Sequence, residues 1–111
     1  YHQALKTLPI SFQSIPSDCK SAYHLFVIGL LETAPITLSS LFTQMREQGI
    51  GVNKHYIPVY LHPYYQKLGF QEGLCPQAEN YYKRSISIPL FPTLAEEQQN
   101  AVISTLHEII K

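Results

Sequence analysis

Two histidines and four tyrosines crowd the stretch from Gly49 to Tyr65, GIGVNKHYIPVYLHPYY, and they are the side chains best suited to chemistry here. His55 and His62 stand seven positions apart across Pro58, with no carboxylate close to either in sequence. That spacing does not suit a pair of metal ligands on one helix face. A histidine near the end of a strand can donate to a phosphate or a sugar hydroxyl and titrates near neutral pH; it can equally be a partly exposed histidine with no ligand. Tyr56, Tyr60, Tyr64 and Tyr65 are able to stack on or hydrogen-bond a planar ligand, and tyrosine clusters also serve protein interfaces. His24, inside the apolar run AYHLFVIG, reads as a hydrogen-bonded structural histidine, and His107 as a surface residue. Self-contained catalytic motifs are missing: there is no GxSxG, P-loop, GxGxxG or HExxH.

Composition narrows the classes further. With 111 residues the chain fits one domain with one core. Lys+Arg and Asp+Glu balance at 8 each, which gives no support to nucleic acid or an anionic membrane as partner. Only 14% of residues are charged, against roughly 25% in an average soluble domain. A surface so poor in charge is expected to be covered in part by another body. Cys19 and Cys75 lack CxxC or Cys/His spacing and read as reduced, structural cysteines. No signal-peptide pattern and no apolar run of membrane-spanning length is present, so a cytoplasmic location is expected. The start at Tyr1 suggests a piece of a longer chain.

The elements that must position the His/Tyr stretch follow from periodicity. Tyr1 to Leu8 reads as the tail of a helix ended by Pro9, and Phe12 to Lys20 as a loop. Ala22 to Gly29 is an apolar run expected to be a strand covered on both faces. Thr37 caps a helix whose Leu38, Leu41, Phe42 and Met45 form one stripe, stopped by Gly49. Val52 to Ile57 is expected to be a strand ended by Pro58. Pro63 to Leu68 reads as a short helix, and Pro76 opens another that runs to about Arg84. Ser85 to Leu90 alternates as a half-buried strand, with Ile86, Ile88 and Leu90 facing inward. Thr93 and Glu96 have capping-box spacing ahead of a last helix with Val102, Leu106, Ile109 and Ile110 on its buried stripe. The fold class is α+β: about three strands, with helices packed mainly on one face.

Six short motifs, taken in order, are more specific than their composition. They are SAYHLFVI at Ser21–Ile28, Gly49-Ile50, HYIPV at His55–Val59, PYY at Pro63–Tyr65, CPQAE at Cys75–Glu79, and SIPLFPTL at Ser87–Leu94. In order and spacing they resemble the carboxy-terminal part of the DegT/DnrJ/StrS-type sugar aminotransferases, over nearly the whole chain. The HYIPV and LFPTL wording is similar to the branch that aminates UDP-linked keto-deoxysugars for pseudaminic acid or spore-coat polysaccharide. The resemblance implies the small carboxy-terminal domain of a fold-type-I enzyme. Its pyridoxal phosphate and Schiff-base lysine would lie in a large amino-terminal domain, and none of Lys6, Lys20, Lys54, Lys67, Lys83 and Lys111 matches that lysine. It further implies glutamate as amino donor, packing on the enzyme's own large domain, a homodimer, and a fragment inactive by itself.

Carried over residue by residue, the substrate-contacting segment falls on His55, Tyr56, Ile57 and Pro58, with Tyr60 and His62 beyond. Many relatives have His where this chain has Tyr60 and Gln where it has His62. An Arg common near the start of the middle helix is replaced around Leu38 and Ser39. The contacts beyond Pro58 and the identity of the sugar are therefore left open, and a stand-alone α+β binding module remains the alternative.

Overall fold

Alternation of large aliphatic residues builds the centre of the molecule. In the computed structural model, which describes residues 1–111, β1 (Ile10–Phe12), β2 (Phe26–Leu30) and β3 (Ser85–Ile88) form an antiparallel sheet in that order. Phe26 faces Ile88 and Ile28 faces Ile86 across one ladder, while Ile10 faces Leu30 across the other. With a side-chain period of two, this register puts all six on one face. Onto that face pack α1 (His2–Leu5), α2 (Leu38–Glu47) and α5 (Glu96–Ile109), which contribute Leu5, then Leu38, Leu41 and Met45, then Val102 and Leu106. Val52 and Ile110 complete the core. Two short helices, α3 (Pro63–Lys67) and α4 (Pro76–Arg84), and a single 3₁₀ turn at Val59–Leu61 make up the rest. No helix is long and apolar enough to cross a membrane.

Local signals succeed where both ends of an element are marked. Thr37 Oγ1 accepts the Ser40 N–H at 3.2 Å and so caps α2. At the other end Gly49 takes φ +76°, which lets its N–H reach the Arg46 carbonyl and the Ile50 N–H reach that of Met45. This paired closure satisfies two orphan carbonyls. His107 is half-buried rather than a free surface residue, because its Nε2 lies 2.8 Å from the Ala4 carbonyl and ties α5 to α1. Tyr1 adds a similar tie through its hydroxyl to the Pro89 carbonyl, at 2.8 Å.

Four expectations are corrected. The strand expected from Ala22 starts only at Phe26, because Tyr23 turns to φ +47° and its N–H is taken by Ser21 Oγ. The strand expected over Val52–Ile57 shrinks to one bridge, Asn53 with Ser87. Asn53 Oδ1 accepts the next N–H, that of Lys54, at 2.8 Å, so the side chain withdraws a donor that a ladder would need. The third strand is β1 instead, which falls between the expected helix tail at Tyr1–Leu8 and the expected loop, overlapping the loop only at Phe12. Ser85 and Ser87 are buried along with Ile86 and Ile88, so β3 is covered on both faces rather than half-buried. The last helix begins two residues late: Thr93 stays exposed, and Gln98 Oε1 accepts the Ala95 N–H at 3.0 Å.

Candidate functional site

The His/Tyr stretch is a strap laid over the second face and edge of the sheet. Val52 is its last core residue; between Asn53 and Ala78 no residue is buried. What holds the strap is a set of polar ties. Asn53 exchanges two backbone hydrogen bonds with Ser87, at 2.8 and 3.2 Å. His55 Nδ1 lies 2.8 Å from Ser87 Oγ, and this contact gives the buried hydroxyl its partner. Lys54 sits over the Tyr82 ring, 3.8 Å from its centroid, and partial burial lowers its ammonium pKa. Lys83 pairs with Glu72, which raises the Lys83 pKa.

His55 borders an open cavity of about 350 Å³ whose walls include Asn53, Ser87, Leu90 and Phe91. Its ring meets that of Tyr56 edge-on at 4.5 Å, across a cis peptide bond. Tyr56 is 68% exposed, as is Tyr64 farther along the strap. Ile57 and Pro58, next in the chain, are half-buried, and Val59 is exposed. Beyond the 3₁₀ turn, Tyr64, Tyr65 and Phe70 form a chain of edge-on ring contacts on the outer surface. The arrangement offers an imidazole with one nitrogen committed to Ser87 and a neighbouring phenol ring open to a planar or sugar ligand.

Tyr60 is used differently from its neighbours. Its hydroxyl points inward and donates to Glu79 Oε1 at 2.5 Å. The same carboxylate oxygen accepts the Gly73 N–H at 2.7 Å, and the Cys75 N–H donates to the Tyr60 hydroxyl at 3.2 Å. Glu79, only 6% exposed, is the first buried residue after Val52. Burial, followed by the adjacent carboxylate, pushes the Tyr60 phenol up to about 12. The Tyr60 hydrogen bond, helped by the Gly73 N–H, holds Glu79 below the usual carboxylate range against the opposing effect of burial. Glu79 therefore contributes stability above its ordinary value of 4.5 and loses that contribution as pH falls through the lowered folded value. Tyr60 contributes below 10.0 and loses its share as pH rises through about 12. The contact is complete between those limits. In a phenolate absorbance titration, the difference between the parent chain and Tyr60→Phe is expected to show one tyrosine ionising near 12; a missing group that titrates near 10.0 would overturn this.

Among the residues singled out from sequence, the structure joins His55 to Tyr56 and leaves Ile57 and Pro58 half-buried. Tyr60 is turned away into α4. His62 is exposed at the start of α3 and is engaged through its backbone, its N–H donating to the Val59 carbonyl and its carbonyl accepting the Gln66 N–H. His24 is exposed on the wall of a groove over the second sheet face, not a hydrogen-bonded core histidine. Cys19 and Cys75 are both free thiols and exposed, so neither is a core residue. Sequence reading missed Ser87 and Glu79. Alternation assigned Ser87 to the solvent side, and nothing marks Glu79 as buried except its place in the CPQAE motif.

The residues present do not fit pyridoxal phosphate. Lys6, Lys20, Lys67 and Lys111 are exposed, while Lys54 and Lys83 are engaged by Tyr82 and Glu72 at an open cavity near Thr37 and Phe42. A Schiff-base lysine needs an enclosed, desolvated pocket. No group of His, Cys, Asp and Glu is arranged to hold a metal ion.

Comparison with known proteins gives this geometry its setting. The spore coat polysaccharide biosynthesis protein SpsC of Bacillus subtilis (strain 168) is 38% identical over 112 residues, covering 91% of this chain and 29% of SpsC. The crystal structure of DesV from S. venezuelae superposes with a TM-score of 0.83 at 28% identity, over 96% of this chain and 28% of DesV. Helicobacter pylori PseC, an aminotransferase involved in the biosynthesis of pseudoaminic acid, shares the fold with a TM-score of 0.85 at 23% identity, over 98% of this chain and 29% of PseC. The chain thus spans less than a third of the length of these relatives. The sheet and its helices correspond to the carboxy-terminal part of sugar aminotransferases, and the family profile matches residues 1–107. The chain belongs to the DegT/DnrJ/EryC1/StrS aminotransferase family.

Proposed function

We propose that this chain is the substrate-covering small domain of a pyridoxal-phosphate-dependent sugar aminotransferase. In this reading the parent enzyme moves an amino group from glutamate to the keto group of a UDP-linked deoxysugar, in the cytoplasm, for spore-coat or related surface polysaccharide. The cofactor and its lysine belong to a large domain, and no step through the cofactor is assigned to the residues of this chain. What this chain supplies is one wall of the sugar site. His55, oriented by Ser87, donates to a phosphate or sugar oxygen; Tyr56 covers a planar or sugar face; Ile57 and Pro58 set the backbone beneath them; His62 stands at the outer margin. The match to SpsC over 91% of the chain carries the reading, and the free ring of Tyr56 beside an anchored His55 supports it.

The test is to express the natural gene, including whatever precedes Tyr1, and to assay glutamate-dependent amination of UDP-linked keto-deoxysugars while recording the pyridoxal spectrum. Turnover with a bound cofactor is expected. A protein that binds no pyridoxal phosphate and leaves glutamate untouched would sink the proposal and favour a binding module.

A further inference from the structure

The strap has no anchor in the hydrophobic core. Its residues from Asn53 to Ala78 are half-buried or exposed, and the 3₁₀ turn and α3 pack on each other. Every side-chain hydrogen bond, ion pair and cation–π contact that leaves this segment lands on one continuous piece of chain, α4 and β3. Ser87 takes His55, Tyr82 takes Lys54, Lys83 takes Glu72, and Glu79 takes both Tyr60 and the Gly73 N–H.

These ties differ greatly in strength. The Lys83–Glu72 pair is more than 60% exposed on both sides, and surface pairs of this kind contribute little. Glu79 is the reverse: it is buried, ionised, and holds two turns of the strap on a single oxygen. Hydrogen bonds to a charged acceptor are roughly twice as strong as neutral ones, and leaving such an acceptor unpaired in the interior is costly. Together with Gly73 and Cys75, Tyr60 and Glu79 close a ring of contacts four residues downstream of Tyr56.

We propose that the Tyr60–Glu79 contact is a positioning latch that fixes the Tyr56–Tyr65 strap in its substrate-facing pose, so that Glu79 and Tyr60 act on the sugar half of the reaction and not on the glutamate half. The proposal rests on the aminotransferase reading given above for its substrate. The strap lines only the sugar site in that reading, and a reacting sugar misplaced by about 1 Å loses on the order of 100-fold in rate. The latch sets pose without touching substrate.

The experiment uses the full-length protein, with Tyr60→Phe and Glu79→Gln each compared with the parent. Three quantities are read: kcat/KM for the UDP-sugar, the rate at which glutamate alone is converted to 2-oxoglutarate in a single turnover, and hydrogen exchange at the amides of residues 56–73. Both variants are expected to lower kcat/KM for the UDP-sugar by about 10- to 100-fold, leave the glutamate half-reaction within about twofold, and speed exchange at Gly73 and across the strap while the β2 and β3 amides stay protected. An unchanged kcat/KM for the UDP-sugar would overturn the proposal, as would an equal loss in both half-reactions, which marks Glu79 as a general stability residue. Should the parent protein turn over neither substrate, the aminotransferase reading fails separately. Exchange then decides the latch alone, and strap amides no faster in the variants would overturn it.

Discussion

Leu106→Ala will lower the unfolding free energy by about 2–5 kcal/mol. Leu106 is fully buried on α5, where that helix closes over the sheet face between α1 and α2. Three side-chain carbons would be lost from a site bounded on several sides by regular structure. Neighbours that are fixed by strand register and by the caps of α2 have little freedom to collapse into the gap. For a domain of this size each kcal/mol corresponds to roughly 4–8 °C in Tm, so the variant should melt well below its parent. Urea denaturation followed by circular dichroism gives the free energy directly, with an unchanged m-value if only the native state is affected. A loss under about 0.5 kcal/mol, the scale of a surface substitution, would mean that α5 does not close the core.

Tyr56→Ala will do the opposite: it spares the fold and weakens the proposed sugar site. The ring is 68% exposed, its hydroxyl has no hydrogen-bond partner, and its one aromatic contact is with His55. Removing it should therefore move the unfolding free energy by no more than about 0.5 kcal/mol. If the ring stacks on a nucleotide base, its loss costs about 1–3 kcal/mol of binding, which is about 5- to 150-fold in affinity. Titration of the full-length protein with UDP and with the UDP-sugar would separate base from sugar contact. A loss seen with both ligands places the ring on the nucleotide, and a loss with the UDP-sugar alone places it on the sugar. Unchanged affinity for both would remove Tyr56 from the site.

How far a residue's signal must act along the chain decides whether its element was legible in the sequence. α2 was legible because Thr37, the Leu38/Leu41/Met45 stripe and Gly49 all lie within one helix and its flanks. β1 was not, because a three-residue strand has no period of its own and exists only by pairing with Phe26–Leu30 far along the chain. The alternation in Ser85–Ile88 identified a strand but misjudged its outer face, since burial of Ser85 and Ser87 depends on α4 and the strap, not on the strand itself. Val52–Ile57 has strand composition, yet the Asn53 side chain diverts the backbone after one bridge. Within the site, His55 and Tyr56 were legible as residue types beside a proline. Glu79 was hidden because a carboxylate in the first turn of a helix is ordinarily solvated, and only the long-range partner Tyr60 brings it inside.

The absence of buried residues from Asn53 to Ala78 separates two kinds of change that most enzymes must make together. Substitutions in this segment alter what the surface recognises while leaving the fourteen-residue core untouched. Descendants of such a chain can drift towards new ligands without first accumulating compensating stability. An engineer can exchange the segment between relatives as a cassette, provided that the recipient keeps a serine at 87 and a carboxylate at 79 to receive it.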